Sequence, residues 1–257
     1  MILMRKAKII KCDSLKLTLK KGKMEIQLFE KPKKNATIIE GFPGFGLVST
    51  ISTEFLIEHL NAKPIGRIVS KKISPLIAIH KGNIIEPVGV FYAEKENIVI
   101  VRAISPLKDL EWELTECIIK LFKDIKAKEL ISIEGISSDG KPPEPEAFYY
   151  TQNKKRADKF HSIRVNKLDE GIIMGVTASL LTKMPETTFI FSEAYADLPD
   201  SRAAAKIIEV LDNYLKLKLD YKPLLKKARS FESQIKEILT KGMQASKEKI
   251  KKESYFG

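Results

Sequence analysis

The sequence has 257 residues, of which 44% are hydrophobic, and its 45 lysines and arginines outnumber 33 aspartates and glutamates, giving a formal net charge of +12. A chain of this length and content can bury a full core, which excludes a disordered protein and a small scaffold held by disulfides or metals. No apolar stretch approaches the roughly 20 residues of a membrane span, and the scattered lysines accompany no nucleic-acid-binding motif. We therefore expect a cytoplasmic protein that binds neither a membrane nor a nucleic acid.

The amino-terminal segment, residues 1–30, alternates weakly between apolar and polar residues and is rich in lysine. It predicts two edge strands joined near Lys21 and Gly22. Its opening apolar run is too short for a signal peptide and is interrupted by lysines. Cys12 and Cys117 lie far apart and match no metal or redox spacing, so we interpret them as reduced thiols.

A strand, a glycine-rich turn and a helix follow in "IIEGFPGFGLVSTISTEFLIEHL", residues 38–60. The turn has neither the GxGxxG spacing nor the Gly-Lys-Ser/Thr ending of a phosphate loop, and Pro43 removes a backbone N–H that a phosphate would need. We therefore interpret Gly41, Gly44 and Gly46 as structural residues that permit positive φ angles and close packing of the helix on the strand.

The middle of the chain predicts more strands, then a helix and another strand. Three or four short apolar runs, ending with "NIVIVRA", are broken by turn signals between residues 63 and 104. An amphipathic helix is predicted over "PLKDLEWELTECIIKLFKDIKA", with Pro106 in its first turn. "KELISIEGISSD" predicts a buried strand that ends at a glycine turn.

The last part of the domain begins with a proline-rich loop that leads to a predicted strand in "FHSIRVN". "GIIMGVTASLLTKM" predicts a helix of small residues, "ETTFIFSEA" a strand and "PDSRAAAKIIEVLDNYLKL" a helix that starts near Pro199 and Asp200. Because strands and helices alternate over residues 36–218, we expect a three-layer α/β/α sandwich with a mostly parallel sheet.

Two carboxylates stand at the predicted strand ends, Glu40 in "IIEG" and Glu134 in "SIEG". Ligands of α/β proteins bind outside the carboxyl ends of strands, so both residues and the 192–200 loop are candidates for a pocket. Asp200 is equally suited to cap the following helix. There is no GxSxG elbow, and none of the histidines is followed by a potential metal ligand three or four residues later; the histidines are His59, His80 and His161. We predict no catalytic residue, no metal and no cofactor.

The carboxyl-terminal segment, residues 221–257, differs from the predicted domain of residues 1–220. Its apolar residues step by four and three, which is a coiled-coil pattern. So narrow a stripe cannot fold alone and should pack on another helix, either of the same chain or of another subunit of a homo-oligomer. The residues of this predicted oligomerisation stripe are Leu224, Ala228, Phe231, Ile235 and Ile238.

Two aromatic residues stand at the tip of this charged segment, in Tyr255, Phe256 and Gly257. A core does not need them there. Such residues either fray in solution or insert into a pocket of a partner protein.

Four stretches together resemble the PAC2 family: "IIEGFPGFGLVSTISTEFLIEHLNAKPIG", "ISIEGISSDG", "GIIMGVTASLL" and "SEAYADLPDSRAAAKIIEVLDNYL". The resemblance covers about residues 35–230 and implies a sandwich akin to purine nucleoside phosphorylases, without an established catalytic site. It also implies oligomers and, in archaea, chaperones that bind proteasome α subunits without ATP.

Some archaeal members of this family end in a hydrophobic residue, a tyrosine and any residue, a motif that docks between α subunits of the 20S ring. Here Tyr255 and Gly257 flank Phe256 instead of a tyrosine. The resemblance thus implies a tail that binds the 20S proteasome α subunits without the hydroxyl. The alternatives are a general assembly scaffold for another client and a nucleoside-type small-molecule binder.

Overall fold

The computed structural model describes residues 24–80, 83–137, 144–195 and 198–221. Eleven strands and five α-helices occupy these ranges. The strands are β1 Glu25–Leu28, β2 Thr37–Gly41, β3 Lys63–Val69, β4 Ala78–His80, β5 Asn83–Ile85, β6 Val88–Ala93, β7 Ile98–Ala103, β8 Glu129–Ser137, β9 Ala147–Tyr150, β10 Asn166–Lys167 and β11 Thr188–Ala194. The helices are α1 Val48–His59, α2 Glu111–Asp124, α3 Lys154–Ser162, α4 Gly175–Lys183 and α5 Ser201–Leu215.

Nine of the strands form one sheet in the order β1-β3-β6-β7-β2-β8-β11-β9-β10. The four adjacent strands β7, β2, β8 and β11 are parallel to one another. Antiparallel pairs extend the sheet on both sides of them. The central strands are mostly apolar on both faces, and every residue of β2 and β7 is buried. This is the pattern of parallel strands that are covered on both faces.

Helices cover both faces of the sheet and create two apolar cores. On one face, α1 packs against α5, and Phe160 of α3 joins the same cluster. On the other face, α2 packs against α4, where Leu114, Ile118 and Leu180 are fully buried. The α/β/α sandwich predicted from the alternation of strands and helices is thereby confirmed, with a sheet that is parallel at its centre and mixed at its edges.

The strand predicted in "FHSIRVN" is wrong, because Phe160, His161 and Ser162 complete helix α3. The Asn153 side chain caps this helix by accepting a hydrogen bond from the Arg156 N–H at 3.2 Å. The Phe160 ring stacks between two tyrosine rings at centroid distances of 4.6 and 4.4 Å. Because Phe160 is the one buried side chain of α3, this segment of the sequence has no apolar period of 3.6 residues that would indicate a helix.

Two further expectations differ in their details. Helix α2 begins at Glu111, so Pro106 lies in the preceding loop and outside the first turn. β1 is the edge strand expected near residue 25. The earlier strand predicted within residues 1–23, the stripe from Leu224 to Ile238 and the tail at 255–257 lie outside the described residues.

Strands β4 and β5 form a separate two-stranded ribbon. Apolar side chains stand exposed on and beside it: Ile77 is 52%, Ile79 75% and Ile84 68% accessible to solvent. An exposed apolar cluster of this kind favours contact with another protein surface. Among the described residues, no helix is long and apolar enough to cross a bilayer.

Candidate functional site

Glu40 and Glu134 lie on the same face of the sheet. Glu40 stands at the end of β2, as predicted, but the strand end predicted after Glu134 is wrong, because β8 continues to Ser137. Glu40 of β2 stands opposite Ser132 of β8, and Glu134 follows two residues later on β8. Side chains alternate between the faces of a strand, so Glu40, Ser132 and Glu134 all point toward the α2/α4 layer. The sheet therefore brings together two residues that are far apart in sequence.

Glu40 is 1% exposed, and its Oε1 has no hydrogen-bond partner among the described residues. Burial is the main reason that the pKa of Glu40 is raised to about 8; a hydrogen bond with Ser132 opposes the increase, and the nearby charge of Glu134 adds to it. A buried carboxyl without a counter-charge favours its neutral form.

Burial also shifts the pKa of Glu134, which lies two residues after Ser132 on β8. Burial raises the pKa of Glu134 to about 7, and hydrogen bonding with Thr177 of α4 offsets part of this increase. Thr177 also accepts a hydrogen bond at 3.2 Å from the Ser132 hydroxyl. Glu134 Oε2 is buried and has no partner among the described residues. A fully buried carboxyl, Glu40, and a partly buried one, Glu134, thus lie close together on this face of the sheet.

A cavity of about 280 Å³ opens beside Glu134. We call it the strand-end cavity. It lies between the turn after β2, the loop between β7 and α2, and the first turns of α2 and α4. Its walls are largely apolar, and two carboxylates and one lysine are among its lining residues. The lining residues are Phe42, Pro43, Pro106, Leu107, Lys108, Glu111, Leu114, Glu134, Gly175, Val176 and Thr177.

The glycine-rich turn packs against the strand ends with little space to spare. Gly46 has a φ of 59°, and a Cβ there would lie 2.8 Å from the Ala194 Cβ. A Cβ on Gly41 would lie 2.8 Å from Thr53 Cγ2, and one on Gly44 would lie 3.1 Å from Glu134 Oε1. These contacts support the proposal that the three glycines are structural residues, and Gly44 leaves room for the Glu134 carboxyl.

A glycine of β8 that packs against this turn, Gly135, was not singled out in the sequence. A Cβ on Gly135 would lie 2.4 Å from the Phe45 carbonyl oxygen and 2.9 Å from Val48 Cγ2. The backbone of β8 at Gly135 therefore packs directly against Phe45 and the first residue of α1, with no room for a side chain. The glycine is visible in "SIEG", but the sequence does not show which residues pack against it, because Phe45 and Val48 come from another part of the chain.

The loop after β11 is tied to the same turn. The Asp200 N–H donates to the Gly46 carbonyl at 2.8 Å. The Asp200 side chain accepts hydrogen bonds from the N–H groups of Arg202 and Ala203 at 3.1 and 3.2 Å, so it caps α5. Of the two roles that the sequence left open for Asp200, the structure shows the cap; residues 196 and 197 lie outside the described residues.

A buried arginine on the opposite face of the sheet was also missed. Arg102 of β7 is 4% exposed and forms an ion pair with Glu54 of α1. Its guanidinium lies 5.1 Å from the centroid of the Phe91 ring. Burial lowers the pKa of Arg102 to about 10. Because Arg102 faces α1, it pairs with Glu54 and not with Glu40.

Replacing Glu54 with alanine is expected to destabilise the protein by about 2 kcal/mol, because it leaves the buried Arg102 charge without its partner. Glu54 is partly exposed, which holds the effect below that of a fully buried pair. Urea unfolding measures the change. Glu58→Ala, on the exposed side of the same helix, is the control and should stay near wild type. Equal stability of both variants would contradict the prediction.

No group of three potential metal ligands occurs among the residues that the structure describes. His59 stacks on Phe55 at a centroid distance of 3.7 Å, and His161 lies 3.0 Å from the Tyr149 hydroxyl. These histidines therefore take part in local packing and hydrogen bonding.

Comparisons of the sequence and of the structure with known proteins both find similar archaeal proteins. An uncharacterised protein of Methanocaldococcus jannaschii is 33% identical over 232 residues, which cover 88% of this chain and 91% of that protein. The crystal structure of Pyrococcus furiosus PbaA, an archaeal homologue of proteasome-assembly chaperone, is 29% identical with a TM-score of 0.78, covering 86% of this chain and 99% of PbaA.

Pyrococcus furiosus PbaB, an archaeal proteasome activator, shares the fold at 21% identity and a TM-score of 0.70, with 84% of this chain and 99% of PbaB covered. The sequence model of the PAC2 family matches residues 38–239. That match continues beyond residue 220, where the sequence predicts a helical extension. On these findings, and as the four motifs indicated, the chain belongs to the PAC2 family.

Proposed function

We propose that this protein is a cytoplasmic, ATP-independent assembly chaperone for the 20S proteasome that acts without catalysis. The observation that carries the proposal is its likeness to Pyrococcus furiosus PbaA, which is described as an archaeal homologue of proteasome-assembly chaperone. That likeness extends over 99% of the PbaA chain, and membership of the PAC2 family supports the same function.

In this proposal the contact with proteasome α subunits is made by Tyr255, Phe256 and Gly257. An aromatic ring fills an apolar pocket, and a terminal carboxylate pairs with a pocket lysine. One short segment binds weakly, because ordering it costs conformational entropy. Several copies on one oligomer raise the effective concentration and add about 10²–10⁴ in avidity when the geometry matches.

We also propose that the protein is a homo-oligomer assembled by the stripe from Leu224 to Ile238. The a/d spacing of the stripe supports this assignment. The exposed isoleucines at 77, 79 and 84 support protein contact at a second surface. Light scattering of Phe231→Asp compared with wild type tests the role of the stripe, with dissociation as the expected result.

Deleting Tyr255–Gly257 is expected to abolish co-purification with archaeal 20S particles, because the rings and the terminal charge that occupy the pockets are lost. Pull-down and electron microscopy of the mixture provide the measurement. Lys251→Ala is the matched control: it alters the same segment without removing an aromatic ring, and it should still bind.

Phe256→Tyr is a complementary gain-of-function variant. One added hydrogen bond contributes about 0.5–1.5 kcal/mol, so 20S binding should strengthen by roughly 2- to 13-fold. If the deletion leaves binding unchanged, the tail has no part in it. If neither the wild type nor Phe256→Tyr binds 20S particles while both are oligomeric, the protein is a scaffold for a different client.

A further inference from the structure

The strand-end cavity differs in charge from the rest of the molecule. The protein has a formal net charge of +12. Yet two of the three charged residues that line the cavity are acidic, Glu134 and Glu111. Glu40 adds a third carboxyl in the sheet below, close enough for its pKa to be raised by Glu134.

The carboxyl pair has no counter-charge among the described residues. Neither Glu40 nor Glu134 forms an ion pair with any lysine or arginine in that part of the chain. Arg102 lies on the other face and pairs with Glu54. Lys108 lines the cavity but is exposed. At a pH at which Glu134 is ionised, a cation that entered the cavity would therefore meet a negative charge that the described residues leave uncompensated.

The walls of the cavity favour a ligand with an apolar body. Phe42, Pro43, Pro106, Leu107 and Leu114 surround the space next to Glu134. Its volume of about 280 Å³ lies just below the range of roughly 300–1,000 Å³ for small-molecule sites, which excludes a large ligand. Apolar walls with one or two placed charges are the usual composition of such a site.

We propose that the strand-end cavity binds a small organic cation, a protonated amine or amidine on a compact apolar body, with Glu134 as its counter-ion. The positive group pairs with the Glu134 carboxylate, and the body packs against the Phe42 and Leu107 side chains. A neutral molecule of the same shape gains only the apolar contacts. The proposal involves none of the residues of the tail that is proposed to bind the proteasome.

Isothermal titration with benzamidine and its neutral counterpart benzamide tests the proposal. We expect benzamidine to bind at least roughly tenfold more tightly than benzamide, since only the amidinium pairs with a carboxylate. Binding should strengthen from about pH 6 to about pH 8, as the carboxyl pair ionises, and should release protons below pH 8. Glu111 and Lys108 are the other titratable groups that line the cavity.

Two variants test whether benzamidine binds within the strand-end cavity. Glu134→Gln keeps the shape of the side chain and should weaken benzamidine binding at least roughly tenfold, whereas Glu116→Gln, an exposed carboxylate on α2, should leave it unchanged. Leu107→Trp fills the cavity while keeping Glu134 and should also abolish binding, with thermal melts confirming that each variant folds.

Equal affinity for benzamidine and benzamide would overturn the proposal, and so would undiminished binding by Glu134→Gln or the absence of any benzamidine binding. Removal of Tyr255–Gly257 should leave benzamidine affinity unchanged, so the outcome is independent of proteasome docking.

Discussion

Replacing Gly135 with alanine is expected to destabilise the protein by about 2–3 kcal/mol, because the new Cβ would meet backbone. It would lie 2.4 Å from the Phe45 carbonyl oxygen and 2.9 Å from Val48 Cγ2, so neither neighbour can rotate away at low cost. The start of α1 must then move away from β8. Urea unfolding followed by circular dichroism measures the loss.

The matched control for this substitution is Gly171→Ala. Gly171 is exposed, and a Cβ there would make an ordinary contact at 3.4 Å with Leu168 Cδ2. Its free energy of unfolding should stay within about 0.5 kcal/mol of wild type. Equal effects at the two glycines would show that β8 and the start of α1 accommodate a Cβ at residue 135 without cost, which would contradict the prediction.

Stability is expected to fall as the pH rises from about 5 to about 8.5, because Glu40 and Glu134 are more easily ionised in the unfolded chain than in the folded protein. Their pKa values are about 8 and about 7 when folded, against 4.5 for the model carboxyl. Between 4.5 and 8 the folded state holds protons that the unfolded state has released. The pair therefore stabilises the fold at low pH, and this stabilisation is lost as the pH rises through the folded pKa values.

The expected size is of the order of 5 kcal/mol for Glu40 over its whole titration, since its pKa rises from 4.5 to about 8 and each unit of pKa shift corresponds to about 1.4 kcal/mol. Glu40→Gln should flatten the dependence and raise the free energy of unfolding at about pH 8.5, because an amide does not ionise. Glu116→Gln removes an exposed carboxylate and should keep the wild-type slope. A flat wild-type profile, or an unchanged slope in Glu40→Gln, would contradict the prediction.

The order of strands and helices could be predicted because most of its signals are local. "ATIIEG" and "NIVIVRA" are continuous apolar runs, and they became fully buried parallel strands. The stripe from Leu110 to Leu121 has helical spacing and became the buried face of α2. The prediction failed at α3, where one buried ring, Phe160, carries the packing and the helix start depends on an asparagine cap.

The candidate site was predictable only in part. The sequence placed Glu40 and Glu134 at strand ends, and the rule for parallel strands placed those ends at one edge of the sheet. It did not give the Arg102–Glu54 ion pair, since two oppositely charged residues 48 positions apart carry no mark of their contact. Nor did it give the backbone approach at Gly135, because a glycine does not indicate what lies next to it.

By itself the sequence determined the α/β/α architecture and the PAC2 family, since periodicity, turn residues and motifs are properties of neighbouring residues. Only the tertiary structure decided the chemistry of the strand ends. Burial raises the pKa of Glu40 and Glu134, the charge of Glu134 adds to the increase at Glu40, and α2 and α4 line the cavity beside Glu134. The desolvation of a carboxyl depends on the residues packed around it, and these residues come together only when the chain is folded.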